Sequence, residues 1–371
     1  EIADGDWSSD VCSSDLIHLQ VESLSRCLAA TGRTAVIAGD PLAPYRRAVL
    51  TSTGELEWVL SERRGTLDHV PPRTAPDHAH RYLLGVERWL HRQRGYDRLE
   101  DGLTATLKLA RDLVTDFGRD EAAWIAFEAE RIYWEQRNLT ARTQKRRLDA
   151  LGLGWANHDH HTFRSSRQAF PHLIEILETF GFQCREQFYA GREAGWGAQV
   201  LEHPVCRIAI FADVDLAPEE VEGDFAHKPL PPRAEAELGT VGLWCALHGE
   251  SILEAGLHHL AGRFEFDRFR EDITREGRGM LDPFANTDLL RQAFSEGERW
   301  AVPRDRLERL VAQKVIDQKQ ADRFGTQGVI GSHIENIQRG LGFKGFSQKS
   351  VSDIIRRTDP RAEGASAGGG R

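Results

Sequence analysis

Residues 155–215 read WANHDHHTFRSSRQAFPHLIEILETFGFQCREQFYAGREAGWGAQVLEHPVCRIAIFADVD. WANHDHHTFRS alternates like a strand, and RQAFPHLIEILETFGF places apolar residues at helical spacing and ends near Gly181. Three further strands follow in QCREQFYAG, WGAQVLEHP and CRIAIFADVD. The order strand, helix, strand, strand, strand predicts an α+β chain. On the first strand, alternate side chains share a face, so His158, His160, Thr162 and Arg164 point one way and Asp159, His161 and Phe163 the other. His160 and Arg164 stand about 13 Å apart along such a strand. An imidazole and a guanidinium on one face suit a metal that holds one end of an anionic substrate while Arg164 forks onto a carboxylate. A bare HxH fits equally well with histidines hydrogen-bonded in a half-buried strand.

Outward from this stretch the chain is ordinary. Its 371 residues are more than one core usually holds and predict two domains. A net charge of -9 gives no general attraction to phosphate backbones or anionic membranes, so nucleic acid is not an expected partner. No run is long and apolar enough for a membrane span. Cys27, Cys184, Cys206 and Cys245 are scattered with no CxxC pair, as expected of buried free thiols in a reducing cytoplasm, the expected location. Asp6–Leu16 resembles an in-frame translation of a sequencing adapter, and residues 1–16 are set aside as an artefact.

Residues 17–125 read as a mixed, mostly helical region. TAVIAGD predicts a strand, RRAVLTSTGELEWVLSE a hairpin turning at Thr53-Gly54, and VPPRTAP a linker. Asp77 is a candidate cap for a first helix, and Leu103, Leu107, Leu109 and Leu113 line a second that Gly118 ends. Trp124, Phe127 and Leu139 belong to a third helix that continues into ARTQKRRLDAL. The site-bearing domain is expected over 126–358. EGASAGGGR is too poor in apolar residues to pack, which makes 359–371 a disordered tail.

The strand–helix–three-strand order resembles the module of the vicinal oxygen chelate fold, in which two such units pair and their sheets curl round a metal. A second unit is expected from about Val241 to Lys314. Asp159, His160, Phe163 and Arg164 together are similar to the first metal motif, D-H-x-x-F-R, of the 2-oxoadipate dioxygenase/decarboxylase (hydroxyglutarate synthase) family. YWEQRNLTARTQKRRLDALG, LHHLAGRF and KGFSQKSVSDIIRRT resemble further segments of that family, so the likeness covers about Ala129 to Thr358. It implies metal ligation by His160 and His259, with a glutamate five residues after the proline of Val302-Pro303, which is Glu308. Here the sequence departs from the family: VPRDRLERLVAQKVIDQKQADRF reads as a helix, with Glu298 as the alternative acid. The spacing after HGESILEAG leaves His248 and His258 as alternatives to His259.

The resemblance further implies iron(II), with zinc or manganese accepted by the same ligands, and a 2-oxo acid and dioxygen as partners. The substrate would be chelated through its carboxylate and ketone, Arg164 would help hold the carboxylate, and the product would be a 2-hydroxy acid one carbon shorter. Rival readings are a glyoxalase-type isomerase or lyase, a metal-free small-molecule binding protein of the same fold, and an HD-type phosphohydrolase, whose motif belongs on helices. His172 and His203 read as surface or supporting residues, and Glu202 as an inward-facing acid. Asn138-Leu139-Thr140 reads as an incidental glycosylation sequon.

Overall fold

In the computed structural model, which describes residues 15–53, 56–233, 237–340, 343 and 359–361, the chain opens with strand β1 (Asp15–Gln20), helix α1 (Leu24–Ala30) and strand β2 (Ile37–Ala38). Of the expected TAVIAGD strand only these two residues pair. The hairpin of β3 (Tyr45–Thr53) and β4 (Leu56–Arg63) is present, with Thr53 opposite Leu56; its turn residues 54 and 55 lie outside the described residues. These strands make a four-stranded sheet in the order β1-β4-β3-β2.

Four helices follow: α2 (His78–Leu90), α3 (Leu99–Phe117), α4 (Arg119–Gln136) and α5 (Leu139–Ala150). Gly118 separates α3 from α4 with φ 78°, a left-handed conformation that glycine adopts without strain. Asp77 stands at the N-cap of α2, but its side chain makes no capping hydrogen bond. The single long helix expected through Leu139 is broken in two. Asn138 ends it by leaving the helical region and accepting the Ala141 N–H on its side chain, which starts α5 anew. Asn138 is buried and donates to Ser332, so the sequon has no accessible acceptor.

The large sheet begins with a 3-10 turn over Gly154–Asn157, so strand β5 is shorter than expected, His158–Arg164. Helix α6 (Phe170–Thr179) and strands β6 (Gln183–Tyr189), β7 (Trp196–His203) and β8 (Ile208–Asp215) complete the first unit. After α7 (Thr240–His248) the second unit runs through β9 (His259–Gly262), α8 (Phe266–Arg275), β10 (Ala285–Asn286), β11 (Leu290–Phe294), β12 (Glu298–Trp300), α9 (Arg304–Ala312), α10 (Gln318–Gln327) and β13 (Val329–Arg339). The second unit therefore spans His259–Arg339 and not Val241–Lys314. α7 precedes it, and α9 and α10 are inserted before its last strand.

Strand order shows the internal symmetry. The main path is β10-β11-β13-β9-β5-β8-β7-β6, with β12 on the side of β13. Each unit contributes its strands in the order first, fourth, third, second, and the two first strands, β5 and β9, meet antiparallel at the centre. Their register repeats under a two-fold: Thr162 faces His259, and His160 faces Ala261. First and fourth strands are parallel in both units, with His160 beside Ala209 and His259 beside His333. This is the vicinal oxygen chelate arrangement.

One face of the sheet is covered by the helical layer, where Phe127 of α4 packs on His161 and Phe163 of β5. One apolar cluster runs from Tyr82 and Trp89 through α4 and α6 to Ile210 and Leu260, so residue 125 lies inside both a helix and a continuous core. α7 covers part of the other face. Asp215, at the end of β8, accepts from the Gly239, Val241 and Gly242 N–H groups at the start of α7, and a Cβ on either glycine would run into that carboxylate. Of the expected tail, Asp359 contacts Thr240 and Arg361 donates to the Leu238 carbonyl; residues 362–371 lie outside the described residues, as do 1–14 and the family-like segment 344–358. No described helix is long and apolar enough to cross a membrane.

Candidate metal centre

A register shift between His158 and His160 sets the geometry of β5. Strict alternation would have placed His158 beside His160. The irregularity turns His158 to the helical side, where its ring meets His161 and its Nδ1 meets the Trp155 carbonyl. His160, Thr162 and Arg164 remain on the opposite face. Antiparallel pairing with β9 then brings His259 next to Thr162, and β13 brings Glu335 alongside.

Three donor atoms converge. His160 Nε2 lies 3.2 Å from His259 Nε2 and 3.3 Å from Glu335 Oε2, and His259 Nε2 lies 3.2 Å from the same oxygen. Ligand atoms about 2.1 Å from a small divalent cation, at right angles to one another, sit about 3.0 Å apart. The triangle is therefore the size that one cation spans from one side, and two imidazoles with one carboxylate are the donor set of a facial triad. All three side chains are buried.

Surrounding groups fix the donors. His160 Nδ1 is 3.1 Å from Asp159 Oδ1, which leaves Nε2 free to face the triangle. Asp159 is itself paired with Arg263 and Arg339. Burial opposes its charge, but hydrogen bonds from His160 and Arg339 hold its carboxyl well below the usual range. Gln292 donates to Glu335 Oε1 at 2.6 Å, so only Oε2 is turned to the imidazoles. Burial also opposes ionisation of Glu335, yet His160 and His259 keep it anionic. The same contacts act on His160: desolvation disfavours its charged form, and Asp159 with Glu335 outweighs it, pushing the pKa up to about 9. His259 has no counterpart of Asp159. Its Nδ1 is buried without a partner, and burial lowers its pKa. Strong proton affinity at a carboxylate-backed imidazole is the same electron donation that a cation would use.

The two-fold predicts a fourth position. Glu335 stands two residues beyond the partner of His259 on the fourth strand of unit two; the equivalent residue of unit one, two beyond Ala209, is Phe211. Its ring lies 4.8 Å from that of His160. With an apolar ring where a fourth donor would stand, a cation held by the triangle would have three protein donors. Phe294 closes the other side, 5.7 Å from His259.

Arg164 lies farther along β5, buried, with its backbone N–H bonded to Ser251 and its guanidinium over Trp244. Asp213 pairs with it, with Oδ2 4.0 Å from Nε. Burial pushes Asp213 up to about 7, against the pull of Arg164 and His160.

Of the residues expected from sequence, His160, His259 and Arg164 share this face, while Glu308 does not reach it. Glu308 is exposed on α9 and paired with Arg304 one turn away, as the helical reading of that segment requires. Glu298 accepts the Leu139 N–H at the start of α5. Glu335 supplies the acid; the signal for it was the alternation in VIGSHIENIQR, which sets Gly331, His333, Glu335 and Ile337 on one face. Among the alternative histidines, His258 adjoins His259, and His248 sits between Trp244 and Trp300. His248 borders a cavity of about 580 Å³, lined also by Arg137, Glu254 and Arg306, that contains none of the three donors. His203 is fully buried and bonded to the Phe180 carbonyl, not at the surface, and Glu202 pairs with Arg185 on the exposed side. Cys184 is exposed, unlike the other three described cysteines.

Comparison with known proteins adds three likenesses of fold. A protein from Shewanella frigidimarina NCIMB 400, described as a putative hydrolase, is 14% identical over 68% of this chain and 100% of its own, with a TM-score of 0.39. A mutant 4-hydroxymandelate synthase from Streptomyces coelicolor is 13% identical over 95% of this chain and 100% of its own, with a TM-score of 0.36. Methylmalonyl-CoA epimerase from Mycobacterium tuberculosis is 13% identical over 50% of this chain and 88% of its own, with a TM-score of 0.27. No family model matches the sequence, and no curated protein does. At such values the fold assignment stands on strand order and register.

Proposed function

We propose that this chain is a mononuclear metal-dependent oxygenase that decarboxylates a 2-oxo acid of the 2-oxoadipate type. The observation that carries the reading is the buried triangle of His160, His259 and Glu335 with Phe211 at the fourth symmetric position. Three donors on one side leave adjacent positions for a bidentate 2-oxo acid and for dioxygen. An iron(II) held there would activate dioxygen and polarise the ketone, with the 2-oxo acid itself as the net source of electrons.

The chain's own residues supply position, charge and dryness. Asp159 keeps Nε2 of His160 turned inward, and Gln292 does the same for one oxygen of Glu335. Phe211 and Phe294 exclude water from the open side. Arg164 pairs with a substrate carboxylate, exchanging a 4.0 Å approach to Asp213 for a direct bond. In the overall reaction one carboxylate leaves as carbon dioxide, the ketone carbon becomes the new carboxylate and the neighbouring carbon gains a hydroxyl. Both oxygen atoms come from dioxygen, and no further reductant is needed.

The test is turnover of the iron-loaded protein with a panel of 2-oxo acids, in air and without it. Oxygen uptake and carbon dioxide release in equal amounts support the reading. Metal-dependent conversion that proceeds equally well without oxygen would establish an isomerase or lyase instead.

A further inference from the structure

β13 brings two side chains to the triad's side of the sheet. His333 precedes Glu335 by two residues and so shares its face. In register it lies beside His259, with the rings stacked 5.0 Å apart at 19°. It also touches His258 at 4.7 Å and Phe294 at 4.3 Å. His333 is 8% exposed, and its Nε2 is buried with no hydrogen-bond partner. Its counterpart in unit one is Ala209, so the fold itself does not call for a ring at this position.

A buried polar nitrogen left without a partner is costly and needs a compensating role. The neighbours do not provide one. His258 is committed through Nδ1 to the Gly331 carbonyl, and Phe294 has nothing to offer a donor. Arg164 comes close to the pattern, because its Nε is buried without a hydrogen bond and Asp213 approaches it only to 4.0 Å. Two buried donor atoms on one face of the sheet, neither hydrogen-bonded, suit a ligand rich in acceptor oxygens.

We propose that His333 is a substrate-holding residue which, with its proton on Nε2, donates a hydrogen bond to a carboxylate oxygen of the 2-oxo acid. The proposal rests on the oxygenase reading above and adds to it a specific contact beside the triad. His333 acts alongside Arg164 and leaves the three metal donors undisturbed.

Zinc-loaded protein, titrated calorimetrically with 2-oxoadipate, separates binding from turnover. His333→Phe should keep full zinc content and an unchanged melting temperature, and should weaken 2-oxoadipate by about tenfold or more, the loss of one hydrogen bond to a charged group. His333→Gln, whose amide can still donate, should recover part of the affinity. Unchanged binding in His333→Phe would overturn the proposal and leave His333 as packing; loss of zinc in both variants would overturn it in favour of a metal-holding role. A wild-type protein that holds zinc but binds no 2-oxo acid would remove the oxygenase reading and this contact with it, an outcome distinct from the other two.

Discussion

The two strand–helix–three-strand units share one topology and differ in what they place on it. Unit one supplies His160, backed by Asp159, and offers Phe211 where unit two offers Glu335. Unit two supplies His259, which no acid backs, and His333 where unit one has Ala209. A two-fold frame by itself would yield a four-donor site. The broken symmetry leaves three candidate donors with one side open, as the proposed chemistry requires.

Abolishing the asymmetric acid should have the largest effect. Glu335→Ala removes the one anionic donor of the triangle and leaves two imidazoles, so metal affinity should fall by more than the roughly 10–100-fold typical of outer-shell changes; metal analysis after dialysis reads it. Restoring symmetry is the converse experiment. Phe211→Glu should hold the cation at least as tightly while oxygen uptake falls to background, and a variant that still consumes oxygen would show that Phe211 does not guard an open position. Asp159→Asn takes from His160 the backing that His259 already lacks. Its metal affinity should drop by about 10–100-fold, measured by competition with a chelator.

Smaller effects test how unit two is fastened to the helical layer. Asn138 caps α5 and donates to Ser332 of β13, so Asn138→Ala should cost about 1–2 kcal/mol in denaturant unfolding. Glu308→Gln loses only an exposed pair within α9, about 0.3 kcal/mol, and should leave metal content untouched.

Much of unit one was legible because its signals are local. Alternation in HDHHTFR and helical spacing in FPHLIEILET each lie within ten residues, and Gly118 and Gly181 punctuate their helices where expected. What escaped was non-local. The irregularity that reverses His158 exists only once β5 pairs with β9, and the break at Asn138 depends on a side chain that bonds forward and across to β13 at once. Glu335 was hidden by the insertion of α9 and α10, which pushed the last strand past the expected end of the unit. Spacing from Val302-Pro303 then pointed to a helical carboxylate on the surface. The sequence of β13 held the missing acid in plain alternation, but only its pairing with β9 says which strand is its neighbour.

The late place of β13 in the chain also governs timing. At ribosomal rates of about 5–20 residues per second, β13 emerges on the order of ten seconds after β5. Until then the growing chain carries first one and then both imidazoles without their carboxylate, and a product truncated before Glu335 lacks the third candidate donor.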